Sequence, residues 1–161
     1  MYSGYCNGSF QTKETSFTGG GLQPELMSFG DFNSDTPLDI VISYTSSELA
    51  VFFGFGNGTF GRRKIFISND TEAVTRFTSV NDLNHDDYQD IVIGNASPYG
   101  ISILYGDGHG NFWFQFIFLS DITESFTWIN IGDFNNDGYQ DILVTGEQSG
   151  VMNILLNMNS C

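Results

Sequence analysis

An all-β chain assembled from repeated four-stranded units is the fold class this sequence predicts, and three observations carry it. An acidic segment recurs three times at a spacing of 51 residues: D-F-N-S-D-T-P-L-D-I-V-I from Asp31, D-L-N-H-D-D-Y-Q-D-I-V-I from Asp82 and D-F-N-N-D-G-Y-Q-D-I-L-V from Asp133. A Gly-rich marker recurs between them, G-F-G-N-G-T-F over Gly54–Phe60 and G-D-G-H-G-N-F over Gly106–Phe112, with a shortened N-G-S-F at Asn7–Phe10. The stretches between these markers are short, rich in β-branched and aromatic residues, and punctuated by Gly, Asn and Asp, which favours strands over helices.

Taken in order, each period opens with an aromatic-rich stretch before the acidic loop (Leu26 to Phe29, Phe77 to Val80, Phe126 to Ile131). A fully apolar run follows the loop: Ile40 to Ile42, Ile91 to Ile93, Ile142 to Val144. A third run (Leu49 to Phe53, Ile101 to Tyr105, Val151 to Leu156) leads into the Gly/Asn turn, and a fourth (Phe60 to Ile67, Phe112 to Leu119) closes the unit. Four short strands in about 50 residues is the arithmetic of a β-propeller blade.

The chain therefore reads as one repeat domain, 1–161, forming a partial β-propeller of about three blades. Residues 1–20 make a partial blade or closing strand, 21–71 the first repeat, 72–122 the second and 123–161 an incomplete third. The third copy stops short of its fourth strand, whereas Phe10 to Phe17 occupies a fourth-strand position with no blade before it. The two ends are complementary, so residues 1–20 are expected to complete a last blade. Propellers have about 4 to 8 blades; three imply open apolar faces, and so a homo-oligomer or a longer propeller.

Composition bounds the function. Among 161 residues, 5 Lys and Arg stand against 19 Asp and Glu, a net charge of −14. That balance argues against nucleic acid or an anionic membrane surface as partner. A hydrophobic share of 40% and an aromatic share of 16% argue against a disordered acidic tail. No apolar run approaches the roughly 18 residues of a membrane span, and the sequence from Met1 opens no signal peptide.

Within each acidic segment, loop positions 1, 3, 5 and 9 carry Asp, Asn, Asp and Asp. They are Asp31, Asn33, Asp35 and Asp39; Asp82, Asn84, Asp86 and Asp90; and Asp133, Asn135, Asp137 and Asp141. Nine of the 13 aspartates occupy these positions, a concentration of like charge that opposes folding unless a counter-ion relieves it. Ca²⁺, a hard cation that takes 6 to 8 oxygens, fits alternating oxygen donors plus a backbone carbonyl at position 7, here Pro37, Tyr88 or Tyr139. Zinc and copper would call for Cys or His, and Mg²⁺ rarely uses an all-protein cage. An EF-hand fails at position 12, where Ile42, Ile93 and Val144 replace the bidentate Glu. Position 6 favours a residue tolerant of positive φ, which ranks three sites: Gly138 in the third loop, then Asp87, then Thr36 before Pro37.

The unit G-D-F-N-N-D-G-Y-Q-D-I-L-V, followed by G-D-G-x-G-x-F, resembles the FG-GAP/VCBS repeat, the blade of integrin α-subunit-like propellers, over about residues 5 to 157. The F-G…G-A-P combination of the integrin version is absent and position 6 is Gly only in the third copy, so the VCBS-like variant fits better. The resemblance implies a Ca²⁺-binding, extracellular or cell-surface propeller acting in adhesion or in binding a protein or glycan ligand. The alternatives are a non-catalytic accessory segment of a larger extracellular polysaccharide-acting enzyme, or a fragment of a longer propeller with no function of its own.

Other residues fit the bland reading. His85 and His109 lie in a loop and a turn without a triad-like context, and the acids recur where an active site would be unique, so no catalytic residue is expected. Sequons stand at Asn7, Asn57, Asn69 and Asn95. Cys6 and Cys161 are two thiols, or a bridge if their Cα atoms come within about 7 Å. Arg62, Arg63 and Lys64 are expected to decorate an outer strand, and Phe112 to Phe118 to pack between blades, with a ligand or self-association edge as the alternative.

Overall fold

A computed structural model describes residues 22–67, 75–96, 99–118, 126–146 and 150–158, and in those segments every regular element is a strand. The expected strand Phe10 to Phe17, the pair Cys6 and Cys161, and the sequons at Asn7 and Asn69 lie outside them. Three antiparallel sheets follow one another along the chain. The first holds β1 (Pro24–Gly30), β2 (Asp39–Tyr44), β3 (Leu49–Phe52) and β4 (Lys64–Ile67) in sequence order. The second holds β5 (Thr75–Asn81), β6 (Asp90–Ala96), β7 (Tyr99–Gly106) and β8 (Phe112–Phe118) in the same order. The third holds β9 (Phe126–Gly132), β10 (Asp141–Gly146) and β11 (Met152–Leu155). Each acidic loop joins the first two strands of its sheet, and the loops superimpose in register: Gly30 faces Asp39, Asn81 faces Asp90 and Gly132 faces Asp141.

In the first two sheets these residues form strands because both faces of the second and third strands are covered. Val41, Leu49 and Val51 of the first sheet pack with Ile91, Ile93 and Leu104 of the second, and the other face of the second sheet, through Val92, Ile101 and Ile103, packs on Ile129, Ile142 and Val144 of the third. Strands buried on both sides read as continuous apolar runs, as the sequence shows at Ile40 to Ile42 and its copies. The first strands line up side by side, β1 against β5 and β5 against β9, tied by a 2.9 Å hydroxyl contact between Ser28 and Thr78. This is the arrangement of successive propeller-type blades, with the acidic loops at one common end.

The fourth strand of the first sheet departs from expectation. It begins at Lys64 rather than Phe60, which makes only an isolated bridge to Gly54. Gly61 N–H bonds to the Phe53 carbonyl while Lys64 pairs with Val51, so Arg62 and Arg63 together oppose Phe52, the two-against-one count of a bulge. The basic cluster is used within the molecule. Arg63 reaches Glu48 at 2.6 Å, and Lys64 Nζ donates to the Gly110 carbonyl and Asn111 Oδ1 of the next unit's hairpin, at 2.8 and 2.7 Å.

The Phe112 to Phe118 strand is mixed. Phe112 fills the seam between the first two sheets, edge-on to Phe32 and Phe66, whereas Trp113 and Phe114 are exposed, Trp113 stacking on Tyr105 at 4.1 Å. The sequon at Asn95 is spent by folding: the side chain is 2% exposed and its Nδ2 donates to Ser102 Oγ at 2.7 Å. Asn57 stays exposed at its turn, accepting from Thr59 N–H.

Candidate metal centre

All three acidic loops close in the same way. The position 1 carboxylate curls inward and accepts from the backbone N–H groups of positions 5 and 6. Asp31 takes Asp35 N–H at 3.1 Å and Thr36 N–H at 2.9 Å, Asp82 takes Asp86 and Asp87, and Asp133 takes Asp137 and Gly138. Positions 3 and 5 then meet side chain to side chain, at 2.8 Å for Asn33 and Asp35, 2.9 Å for Asn84 and Asp86, and 2.8 Å for Asn135 and Asp137. In these contacts the Asn Nδ2 donates to the position 5 carboxylate, while the position 1 and position 3 side-chain oxygens converge on the position 5 N–H, on one exposed loop, three times over.

Such a tight loop demands left-handed backbone. Position 6 has φ of 85° at Thr36, 67° at Asp87 and 92° at Gly138, the positive φ expected at that position. Position 4 demands it as well, at Ser34, His85 and Asn136, with φ of 58°, 59° and 60°. That second requirement went unread in the sequence, although a polar Ser, His or Asn there was its signal. The first loop is disfavoured twice. Thr36 is β-branched at positive φ, and Pro37 lacks the position 7 N–H that Tyr88 and Tyr139 donate to the position 5 carboxylate at 2.9 Å.

Position 9 does something the sequence did not disclose. Asp39, Asp90 and Asp141 are buried, and each braces two segments. One oxygen accepts from the position 2 N–H (Phe32, Leu83 or Phe134) and the other from the hairpin N–H of Gly54, Gly106 or Asn157, all between 2.8 and 3.0 Å. This explains why the two sequence markers recur together: the Gly-rich hairpin sits on the acidic loop. A Cβ at Gly54 would overlap the Leu38 carbonyl and one at Gly106 the Gln89 carbonyl, so the first two copies need glycine there, whereas the third makes the same contact through Asn157. Burial raises the Asp39 carboxyl above its ordinary range and pushes Asp90 up to about 6. The two N–H bonds oppose that rise, and the carboxylates at positions 5 and 1 add to it.

Oxygen donors of the right hardness are therefore present in each loop, and a carboxylate oxygen that accepts one N–H keeps a second lone pair for a cation. Among the described residues, no three His, Cys, Asp or Glu side chains group closely enough to hold a metal by themselves. A cation here would draw on the Asn at position 3 and the carbonyl of Pro37, Tyr88 or Tyr139 besides the acids. His85 is turned to a different use: its Nε2 lies 2.8 Å from the Gly138 carbonyl and its ring stands edge-on to Tyr139, which links the second and third loops. His109 sits in the hairpin turn, its backbone N–H on Asp107 Oδ1.

The segment from the second acidic loop through the strand after the third matches a known family model. Residues 82–144 match the model of the FG-GAP-like repeat. No curated protein matches the chain. The FG-GAP-like assignment agrees with the all-β, helix-free sheets described above, and the matched span begins at Asp82 and runs through Asp141 to Val144, so it holds two of the three acidic loops complete.

Proposed function

We propose that this chain is a calcium-binding FG-GAP-like propeller module of the extracellular space, whose role is adhesion or ligand binding and not catalysis. The observation that carries the reading is the convergence of the position 1 and position 3 side-chain oxygens on the position 5 N–H in all three loops, at 3.1 to 3.3 Å. The proposed ligands are Asp31, Asn33, Asp35 and Asp39 with the Pro37 carbonyl; Asp82, Asn84, Asp86 and Asp90 with the Tyr88 carbonyl; and Asp133, Asn135, Asp137 and Asp141 with the Tyr139 carbonyl. The cation would be structural. It would offset the like charges of each loop and fix the hairpin that position 9 braces, leaving ligand recognition to the loops at the sheet ends.

Titration calorimetry of the chelated chain with Ca²⁺ tests this. The expected result is up to three sites, tightest in the third loop and weakest in the first. Asp133→Asn should remove the tightest and leave the others. No heat, or a stoichiometry indifferent to Asp133→Asn, would sink the proposal.

A further inference from the structure

Among the described residues, side-chain hydrogen bonds tie the second acidic loop to the third but not the first to the second. His85, at position 4 of the second loop, reaches across with its Nε2 2.8 Å from the Gly138 carbonyl and its ring edge-on to Tyr139, the centroids 4.9 Å apart. A carbonyl only accepts, so Nε2 is the ring nitrogen that carries the hydrogen. Two amides strengthen the seam. Asn81 Nδ2 donates to Gln140 Oε1 at 3.0 Å, and Asn157 Nδ2 donates to the Leu83 carbonyl at 2.8 Å and the Gln140 carbonyl at 3.3 Å. One repeat earlier the same three positions hold Ser34, Gly30 and Gly106, two of them without a side chain and the third with a short one. The first loop is joined to the second unit differently, through the Phe32 carbonyl, which accepts the hairpin N–H of Gly110 at 2.9 Å.

The imidazole meets the third loop at its left-handed turn. Gly138 there holds φ of 92°, and Tyr139 beside it carries the position 7 carbonyl and gives its N–H to Asp137 at 2.9 Å. His85 is itself fixed by the closure of the second loop. It stands between Asn84 and Asp86 at φ of 59°, and the Asp86 and Asp87 N–H groups just after it are held by the Asp82 carboxylate. Closing the second loop therefore places the ring, and the ring in place holds the turn at positions 6 and 7 of the third. Asn81 and Asn157 meet the third loop at Gln140, position 8, beyond that turn.

We propose that His85 is a positioning residue that couples the second and third loops into one unit, so that order in either is passed to the other, while the first loop opens and closes by itself. Such coupling is reciprocal by linkage. Resting on the calcium reading above, it makes the second and third sites positively cooperative, because ordering the second loop around a cation lowers the ordering cost at the third. The first site, without such a bridge, stays independent. The coupling itself needs no cation and is present in the chelated chain.

Two measurements on the 161-residue chain test this. In the chelated protein, amide hydrogen exchange followed by NMR reads each loop separately. Asp82→Asn takes away one of the two oxygens that hold the Asp86 and Asp87 N–H groups. It should speed exchange at the Gly138 N–H by roughly fivefold or more and leave the Thr36 N–H unchanged. His85→Asn removes the ring and spares the backbone, since Asn136 holds the same left-handed φ at position 4 of the third loop. In that background Asp82→Asn should have little further effect on Gly138, whereas His85→Gln, with an N–H at similar reach, should keep the coupling. In Ca²⁺ titrations Asp82→Asn should weaken the third site by roughly fivefold or more. The second site, still present in Asp133→Asn, should weaken by the same factor, and His85→Asn should cancel both effects. Gly138 exchange indifferent to Asp82→Asn, or a coupling that survives His85→Asn, overturns the proposal. Ca²⁺ heat from sites that ignore each other's loss overturns it too and leaves the calcium reading standing. Coupled exchange in the chelated chain with no heat of Ca²⁺ binding supports the link through His85 and sinks the calcium reading alone.

Discussion

Exchanging the residues at position 6 between the first and third loops isolates a cost that contact inspection would miss. Thr36 holds φ of 85° and Gly138 holds 92°, in loops whose position 6 N–H bonds to the position 1 carboxylate correspond. A left-handed residue bearing a Cβ costs about 1–2 kcal/mol, with β-branching at the upper end. Glycine returns part of that through the larger entropy of its unfolded chain, about 0.4–1 kcal/mol. Thr36→Gly is therefore expected to stabilise the metal-free protein by about 0.5–1 kcal/mol. The gain keeps the N–H bond to Asp31, which belongs to the backbone. Gly138→Thr should destabilise by a similar or larger amount, and for the backbone alone, because a Cβ there meets nothing within 4 Å. Urea denaturation of the chelated protein reads both, with an unchanged m-value confirming that the unfolded state is the same. A neutral or destabilising Thr36→Gly together with a neutral Gly138→Thr would refute the strain argument and the ranking of the loops built on it.

Other expectations follow from particular side chains. Asp90→Ala leaves the Leu83 and Gly106 N–H groups without their acceptor in a buried place, at about 1–3 kcal/mol each; denaturation showing less than about 1 kcal/mol would remove the brace. Phe32 is 1% exposed against the second sheet and Phe134, at the same repeat position, is 46% exposed. At low protein concentration Phe32→Ala should then cost about 3–5 kcal/mol and Phe134→Ala under about 1, and equal costs would contradict the packing. Asp90 binds a proton in the folded chain up to about pH 6 but in the unfolded chain only near 3.8. Between those values the native state holds more protons, so without divalent cations its contribution to stability rises as pH falls from 7 to 4, with Asp39 acting in the same direction. Chelated melts at pH 7 and pH 5 should show the rise and Asp90→Asn should reduce it; a fall over that interval, with no difference in Asp90→Asn, would oppose the assignment.

The repeat, the strand order and the place of each acidic loop were legible because each rests on local signals, a fixed spacing and residue type. Position 6 was legible for the same reason, since left-handed backbone selects on one residue. What escaped depends on partners far along the chain. The sequence shows an acid at position 9, but its second hydrogen bond goes to a backbone group 15 or 16 residues onward. Phe32 and Phe134 are one residue type in one motif, and a neighbouring sheet alone decides that the first is buried. Asn95 carries a valid sequon that burial and a side-chain hydrogen bond to Ser102 on the neighbouring strand hide. The bulge at Arg62 and Arg63 left no Gly or Pro at the extra residue to announce it, only a Gly61 just before.

The claim that these loops are metal sites is tested most directly by thermal melts of the chelated protein with Ca²⁺ and, separately, Mg²⁺. Binding to the native state should add about 2.7 kcal/mol per site at a hundredfold excess over Kd. A large upward shift in Tm with Ca²⁺, a small one with Mg²⁺, and loss of one site's share of the Ca²⁺ response in Asp133→Asn is the expected pattern. A melt indifferent to both ions would make the nine aspartates turn and brace residues alone and contradict the calcium assignment.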